Sequence, residues 1–207
     1  MRVELAEASC LSGSSKAEAS REVAAAIERV VHYAGWTDKY EQVLGSVNPV
    51  ASAHFNFTVT EPMGIVGILA PDDAPVLGLL SLILPAITSG NSVVALASTT
   101  QPYPSILLGE MLATSDLPGG VVNLLTGVRE RIDPHVCHAR ASAGHQRRFG
   151  CGRTQSAPSA SGAAESVKRV RLLKAEEPID WFADKMQGAE EIRALVEFKT
   201  TWHPVGA

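Results

Sequence analysis

The 207-residue chain carries 18 Lys and Arg against 22 Asp and Glu, a formal charge of -4. That balance gives no global attraction to polyanions, so neither a nucleic-acid partner nor a membrane surface is expected, and the length suits one ordinary core. Cys10, Cys137 and Cys151 form an odd set without CxxC spacing, and the Met1 start lacks a basic-then-apolar leader, which predicts a cytoplasmic protein.

Residues 1–15 are small and polar without a sustained period and are expected to fray. Val23, Ile27, Val30, Val31 and Ala34 then recur at helical spacing, which predicts a helix from Lys16 to Lys39. Gly45 to Pro49 reads as a breaker. From Phe55 to Thr60 apolar and polar residues alternate as in a strand with Phe55, Phe57 and Val59 on a buried face, and Gly64 to Leu69 reads as its partner strand. The continuous apolar run of that second strand suits burial on both faces.

A helix from Ala74 to Thr88 follows, with Asp72 placed to cap it. Its most apolar part, Val76 to Thr88, is shorter than the roughly 18 residues that span a bilayer, and Pro85 interrupts it, so it reads as a buried helix. Next come a strand at Ser92 to Leu96, a helix at Tyr103 to Ala113 and a strand at Val121 to Leu125. Ser89-Gly90-Asn91 and Leu117-Pro118-Gly119-Gly120 are the helix stops. Alternating strands and helices predict an α/β fold with a parallel half-Rossmann sheet, flanking helices on its faces, and a ligand crevice beyond the carboxyl ends of the strands.

The pattern breaks at residues 129–158, which hold six Arg, three His, two Cys and only two acidic residues. Order returns with VKRVRLL, Trp181-Phe182, a helix from Ala189 to Val196 and a terminal strand from Val196 to Trp202. The chain therefore divides into residues 1–127, an irregular basic linker over 128–165 and a C-terminal unit over 166–207.

YAGWTDK (Tyr33 to Lys39), EPMGIVGILAP (Glu61 to Pro71), LPAITSGNSVV (Leu84 to Val94), LPGGVVNLLTG (Leu117 to Gly127) and the closing VEFKTTWHP (Val196 to Pro204) resemble successive motifs of the aldehyde dehydrogenase superfamily. The resemblance implies a small β oligomerisation element beside the half-Rossmann sheet, with Phe55 to Thr60 and Val196 to Trp202 pairing with a neighbouring subunit. It also implies NAD or NADP as cofactor for oxidation of aldehydes to carboxylic acids. On this reading Leu69, Ala70, Pro71, Asp72, Asp73 and Ser98 line the cofactor crevice, the alternative being an empty relic of it.

Several departures count against catalysis. None of the three cysteines lies in the family's nucleophile motif, and the stretch that would carry the nucleophile and the general-base glutamate is missing. The family's Pro-Trp-Asn, whose Asn donates to the oxyanion, reads Pro71-Asp72-Asp73, and an ionised Asp73 repels that charge. The family's Lys-Pro-Ser-Glu, whose ends hold the adenosine ribose, reads Leu96-Ala97-Ser98-Thr99. No GxGxxG fingerprint follows the first strand. These changes are similar to those of the degenerate second domain of tandem-domain aldehyde dehydrogenases.

The expectation is thus a non-catalytic oligomerisation or scaffold unit, self-associating or joined to a catalytic aldehyde dehydrogenase chain. The alternatives are a residual oxidoreductase or NAD-binding module and a gene remnant. Cys137, His138, His145 and Cys151 are metal-competent but fit no ligand spacing, so no metal is expected. Arg147, Arg148 and Arg153 beside Phe149 read as a solvated loop, or as the product of a shifted reading frame. His32 and His54 read as structural residues.

Overall fold

Among the residues that the computed structural model describes, 2–129, 131 and 179–206, the strands form two three-stranded sheets. The linker residues 132–178, and with them the metal-competent quartet, the Arg147–Arg153 cluster and VKRVRLL, lie outside the described residues.

The N-terminal expectation fails: residues Arg2–Leu11 form helix α1. Leu5, Ala8 and Ser9 fall at i, i+3 and i+4 and are buried against the second and fifth helices, and the Ser9 hydroxyl turns back onto the Leu5 carbonyl. Small side chains make this stripe weak to the eye and let the helix lie close to its neighbours. Helix α2, Lys16–Ala34, opens with a capping box in which the Ser15 hydroxyl accepts from the Glu18 amide and the Glu18 carboxylate accepts from the Ser15 amide. It stops five residues short of Lys39, because Gly35 lowers helix propensity and tight turns carry the chain to a short helix α3, Tyr40–Leu44.

The predicted breaker at 45–49 contains strand β1, Ser46–Asn48, and β2 runs from His54 to Pro62. The expected partner of β2 is also corrected. It pairs antiparallel with β1 on one side and with β6, Val196–Pro204, on the other, while β3, Ile65–Leu69, belongs to the second sheet. Gly64, at φ 112°, turns the chain from one sheet into the other.

That second sheet is parallel, in the order β3-β4-β5, with β4 at Ser92–Leu96 and β5 at Val122–Leu125. Helix α4, Leu77–Thr88, and helix α5, Tyr103–Ala113, are the crossovers. Here the alternation of strand and helix holds to within a few residues. Helix α4 begins at Leu77 because Pro75 disfavours helical dihedrals at Ala74. It is the centre of the core: Leu77, Leu79, Ile83 and Ala86 are buried, and it packs on α2, β3 and β4. No helix among the described residues is long and apolar enough to cross a membrane. The C-terminal segment adds a short helix α6, Ala189–Arg193, and then β6, which closes the first sheet.

Gly78 marks how tightly this core is packed. A Cβ there would stand 2.3 Å from Pro71 Cγ and 3.3 Å from Trp181 Cε2, whereas one at Gly109 would meet only Leu124 Cδ1 at 3.5 Å. Gly to Ala inside a helix gains up to about 1 kcal/mol of propensity, and overpacking costs about 1–3 kcal/mol. Gly109→Ala is therefore expected to raise the thermal midpoint slightly and Gly78→Ala to lower it, in parallel denaturation scans.

Candidate functional site

The carboxyl ends of β3 and β4 carry all six residues that the sequence placed in a crevice. Leu69 ends β3 and is 1% exposed, Ala70 is fully buried, and the Ala70 amide donates to the Leu96 carbonyl at the end of β4. Pro71 is buried against the position of Gly78, and Ser98 is 1% exposed. Only Asp72 and Asp73 present surface.

Asp72 does not cap α4. Its Oδ1 accepts from the Ser98 hydroxyl at 2.7 Å, the Thr99 amide at 2.8 Å and the Thr100 amide at 3.4 Å. Arg129, which follows β5, lies 3.6 Å from the other carboxylate oxygen and donates to the Ala70 carbonyl. Partial burial pushes the Asp72 carboxyl upward, but the Ser98 hydroxyl, the Arg129 charge and the two amides outweigh it and hold the group below the usual carboxylate range. Asp73 accepts from the Trp181 indole N–H at 3.3 Å. Both carboxylates are thus engaged by the chain itself.

The cap of α4 comes from Glu22 on α2. Its Oε1 accepts from the amides of Val76 and Leu77, both at 2.9 Å, in a site 8% exposed. Burial raises this carboxyl above its ordinary value despite the two amide donors, and Asp73 adds repulsion. Two turns further along α2, Arg29 is 4% exposed and donates to Ser81 Oγ at 2.6 Å, the Met186 carbonyl at 2.8 Å and the Trp181 carbonyl at 3.0 Å. Glu22, Arg29, Thr100, Arg129 and Trp181 all escaped the sequence reading as parts of this region. A Glu and an Arg seven residues apart on the inner face of an amphipathic helix were the available signal, since unpaired charges are rarely buried there.

These residues do not fit a dinucleotide. The Thr99 and Thr100 amides already hold Asp72, and a phosphate brought to this edge would face two carboxylates. The buried Leu96 side chain and the Thr99 hydroxyl supply neither the cation nor the carboxylate of a ribose clamp.

In the antiparallel sheet the alternation along β2 is as read, but the one buried side chain of β2, Asn56, lies on the polar face. Phe55 is 47% and Val59 41% exposed, while Asn56 is 2% exposed and accepts from the Asn48 amide at 2.6 Å. The β1–β2 register sets Val47, 66% exposed, beside Phe57, and Phe55 and Phe57 lie in ring contact at 5.4 Å. Val47, Phe55, Phe57 and Val59 therefore form an outward apolar patch. Phe198 and Trp202 on β6 share the face of Asn56 and are 45% and 58% exposed, so beyond Asn56 that face is open too.

The profile of the aldehyde dehydrogenase family matches residues 1–144. The DhaS protein of Bacillus subtilis (strain 168) is 31% identical over 148 residues, covering 71% of this chain and 29% of the relative. Retinal dehydrogenase 2 of Gallus gallus is 36% identical over 101 residues, covering 49% and 19%. Among solved structures, the NAD+ complex of an aldehyde dehydrogenase from Bacillus cereus superposes with a TM-score of 0.73 at 24% identity, over 83% of this chain and 34% of that one. PnpE from Pseudomonas sp. WBC-3 gives 0.73 at 22% identity, over 82% and 34%. The chain matches between about a fifth and a third of the length of these proteins.

Proposed function

Because this chain belongs to the aldehyde dehydrogenase family, we propose that it is a non-catalytic member acting as an oligomerisation or scaffold unit, with itself or with a catalytic aldehyde dehydrogenase chain. The observation that carries this reading is the outward apolar patch of Val47, Phe55, Phe57 and Val59 on a sheet of three strands. Apolar side chains grouped on a pleated face, next to open strand edges, are a surface that association covers. The chemistry of aldehyde oxidation has no support in these residues: no cysteine sits in a nucleophile motif, and Asp72 and Asp73 stand where a donor to an oxyanion would be needed.

The test is sedimentation velocity over a concentration series. The wild type is expected to sediment as an oligomer, and Phe55→Glu combined with Val59→Lys to move it toward monomer at unchanged helix content. Burying either side chain stabilises a contact by about 1.5–3 kcal/mol, so association weakens at least about tenfold. A wild type that is monomeric at all concentrations, alone and mixed with a catalytic aldehyde dehydrogenase chain, would overturn the reading.

A second reading, a residual module that binds NAD or NADP, rests on family membership and on the fold likeness to an NAD+ complex. The filled carboxyl edge argues against it.

A further inference from the structure

Helix α2 presents more apolar surface than the fold covers. One face, with Ala19, Val23, Ala26 and Tyr33, is buried on the core. Beside it runs a second face, on which Ile27 is 42%, Val30 41% and Val31 67% exposed. Along that face Ala17, Ser20, Ala24, Ile27, Val31 and Ala34 follow one another at alternating steps of three and four, the spacing of a coiled-coil seam. Arg21 and Glu28 flank the seam on its outer side, one heptad apart, and both are exposed. Among the described residues Glu28 has no hydrogen-bond or ion-pair partner, and the Arg21 guanidinium lies 4.1 Å from the Phe182 ring centroid without a carboxylate on it.

We propose that this face binds the same face of a second copy of the chain, the two α2 helices running antiparallel about a twofold axis. Charge fixes both the partner and the direction. In an antiparallel pair equivalent flanks meet, so each Arg21 faces Glu28 of the other copy and two identical ion pairs form. In a parallel pair Arg21 would meet Lys16 instead, like charge against like. The antiparallel register also brings the C-terminal end of each α2 to the N-terminal end of the other. There a cleft of about 690 Å³ lies open between α1 and α2, walled by Val3, Ala6 and Val23, with Arg2 and Lys16 at it. Cations placed there favour the negative end of the incoming helix. A seam of this length is marginal between free peptides, but α2 is already formed on the core, so pairing carries no cost of ordering a helix. This contact goes beyond the sheet-borne association proposed above and uses none of its residues.

The experiment is sedimentation velocity of the full chain carrying Phe55→Glu and Val59→Lys, which silences the sheet patch. That chain is expected to remain dimeric at micromolar concentration. Adding Val31→Glu, at an exposed position that leaves the fold intact, is expected to raise the dissociation constant at least about a hundredfold, because each copy then carries a carboxylate into the covered seam. Arg21→Glu is expected to weaken the dimer about tenfold, and Glu28→Arg added to it to restore the dimer. That rescue separates an interface pair from any structural role of either residue. A sheet-silenced chain that is monomeric at every concentration would overturn the proposal, as would a dimer indifferent to Val31→Glu or a charge swap that fails to restore it. The sheet reading fails separately, since the wild type and the sheet-silenced chain would then sediment alike.

Discussion

Replacing Arg29 with alanine is expected to detach the C-terminal segment from the core and to lower stability by about 3–5 kcal/mol, the cost of leaving two buried carbonyls and a buried hydroxyl without their donor. The guanidinium holds α2 to α4 through Ser81 and to the loop before α6 through the carbonyls of Trp181 and Met186. No other residue type donates in three directions from one planar head. Burial disfavours its charge, while Tyr33, Asp184 and Glu191 favour it. Arg29→Met keeps the bulk but leaves both carbonyls unpaired, and Arg29→Lys keeps the charge but loses the fork, so both should fall between alanine and the wild type. In a domain of this size each 1 kcal/mol moves the midpoint by about 2–4 °C, which predicts a drop of about 10 °C for the alanine variant. Trp181, 4% exposed, reports the detachment directly in a chain whose Trp36 and Trp202 are replaced by phenylalanine. A red-shifted emission preceding global unfolding is the expected sign. Unchanged emission and midpoint would show that the segment is held by other contacts.

The second large effect belongs to Glu22. Alanine in its place leaves the Val76 and Leu77 amides at the start of a buried helix without an acceptor, at a cost of about 2–4 kcal/mol from two unsatisfied buried groups. Glutamine keeps a carbonyl oxygen there and removes the buried charge, so it should be near neutral at pH 7. The pH dependence separates the two roles. The folded-state pKa of Glu22 is raised, so its favourable contribution is complete below the unfolded-state pKa and is lost as pH rises through the folded-state value. Asp72 runs the other way: its folded-state pKa is depressed, and its contribution is present above the unfolded-state value and lost as pH falls through the folded one. Glu22→Gln should therefore flatten the loss of stability on going from mildly acidic to neutral pH, leaving the strongly acidic limb to groups such as Asp72. Urea denaturation across that range measures both limbs, and an unchanged acidic-to-neutral slope in Glu22→Gln would contradict the assignment.

What was legible in the sequence follows from what periodicity encodes. The bounds of β4 and α5 emerged as read, because Ser92 to Leu96 lies between Gly90-Asn91 and a polar turn, and because Pro104 and Thr114 bracket a single apolar run. Gly90, at φ 80°, is the left-handed stop that the Ser-Gly-Asn triplet signalled. Alternation in Phe55 to Thr60 showed which side chains share a face but not which of them is buried, and the buried one is Asn56. The pairing of β2 was misread for a related reason. Its true long partner, β6, is supplied by residues some 140 positions later, whereas the neighbouring strand in sequence turns into the other sheet.

The site was legible only as a place. Parallel topology put the six residues at the carboxyl edge, and they are there. Their use was hidden because each decisive contact is non-local: Asp72 meets Ser98, Thr99 and Arg129, the α4 cap comes from Glu22, and Asp73 holds Trp181. An Asp just before an apolar helix is a cap by local statistics, yet here a second carboxylate already serves that helix and the first is claimed by stronger donors. Arg129 reads in the sequence as the start of a basic linker, and in the fold it is the counter-ion of the crevice.

The family's fold persists here with its carboxyl edge engaged by its own side chains, and association is the role proposed for it. Titration with NADH tests this most directly, following quenching of Trp36, Trp181 and Trp202 together with energy transfer to the nicotinamide. The account predicts no saturable signal up to millimolar cofactor. Saturable binding at micromolar NADH would contradict it, and would mean that Asp72 yields its donors to a dinucleotide.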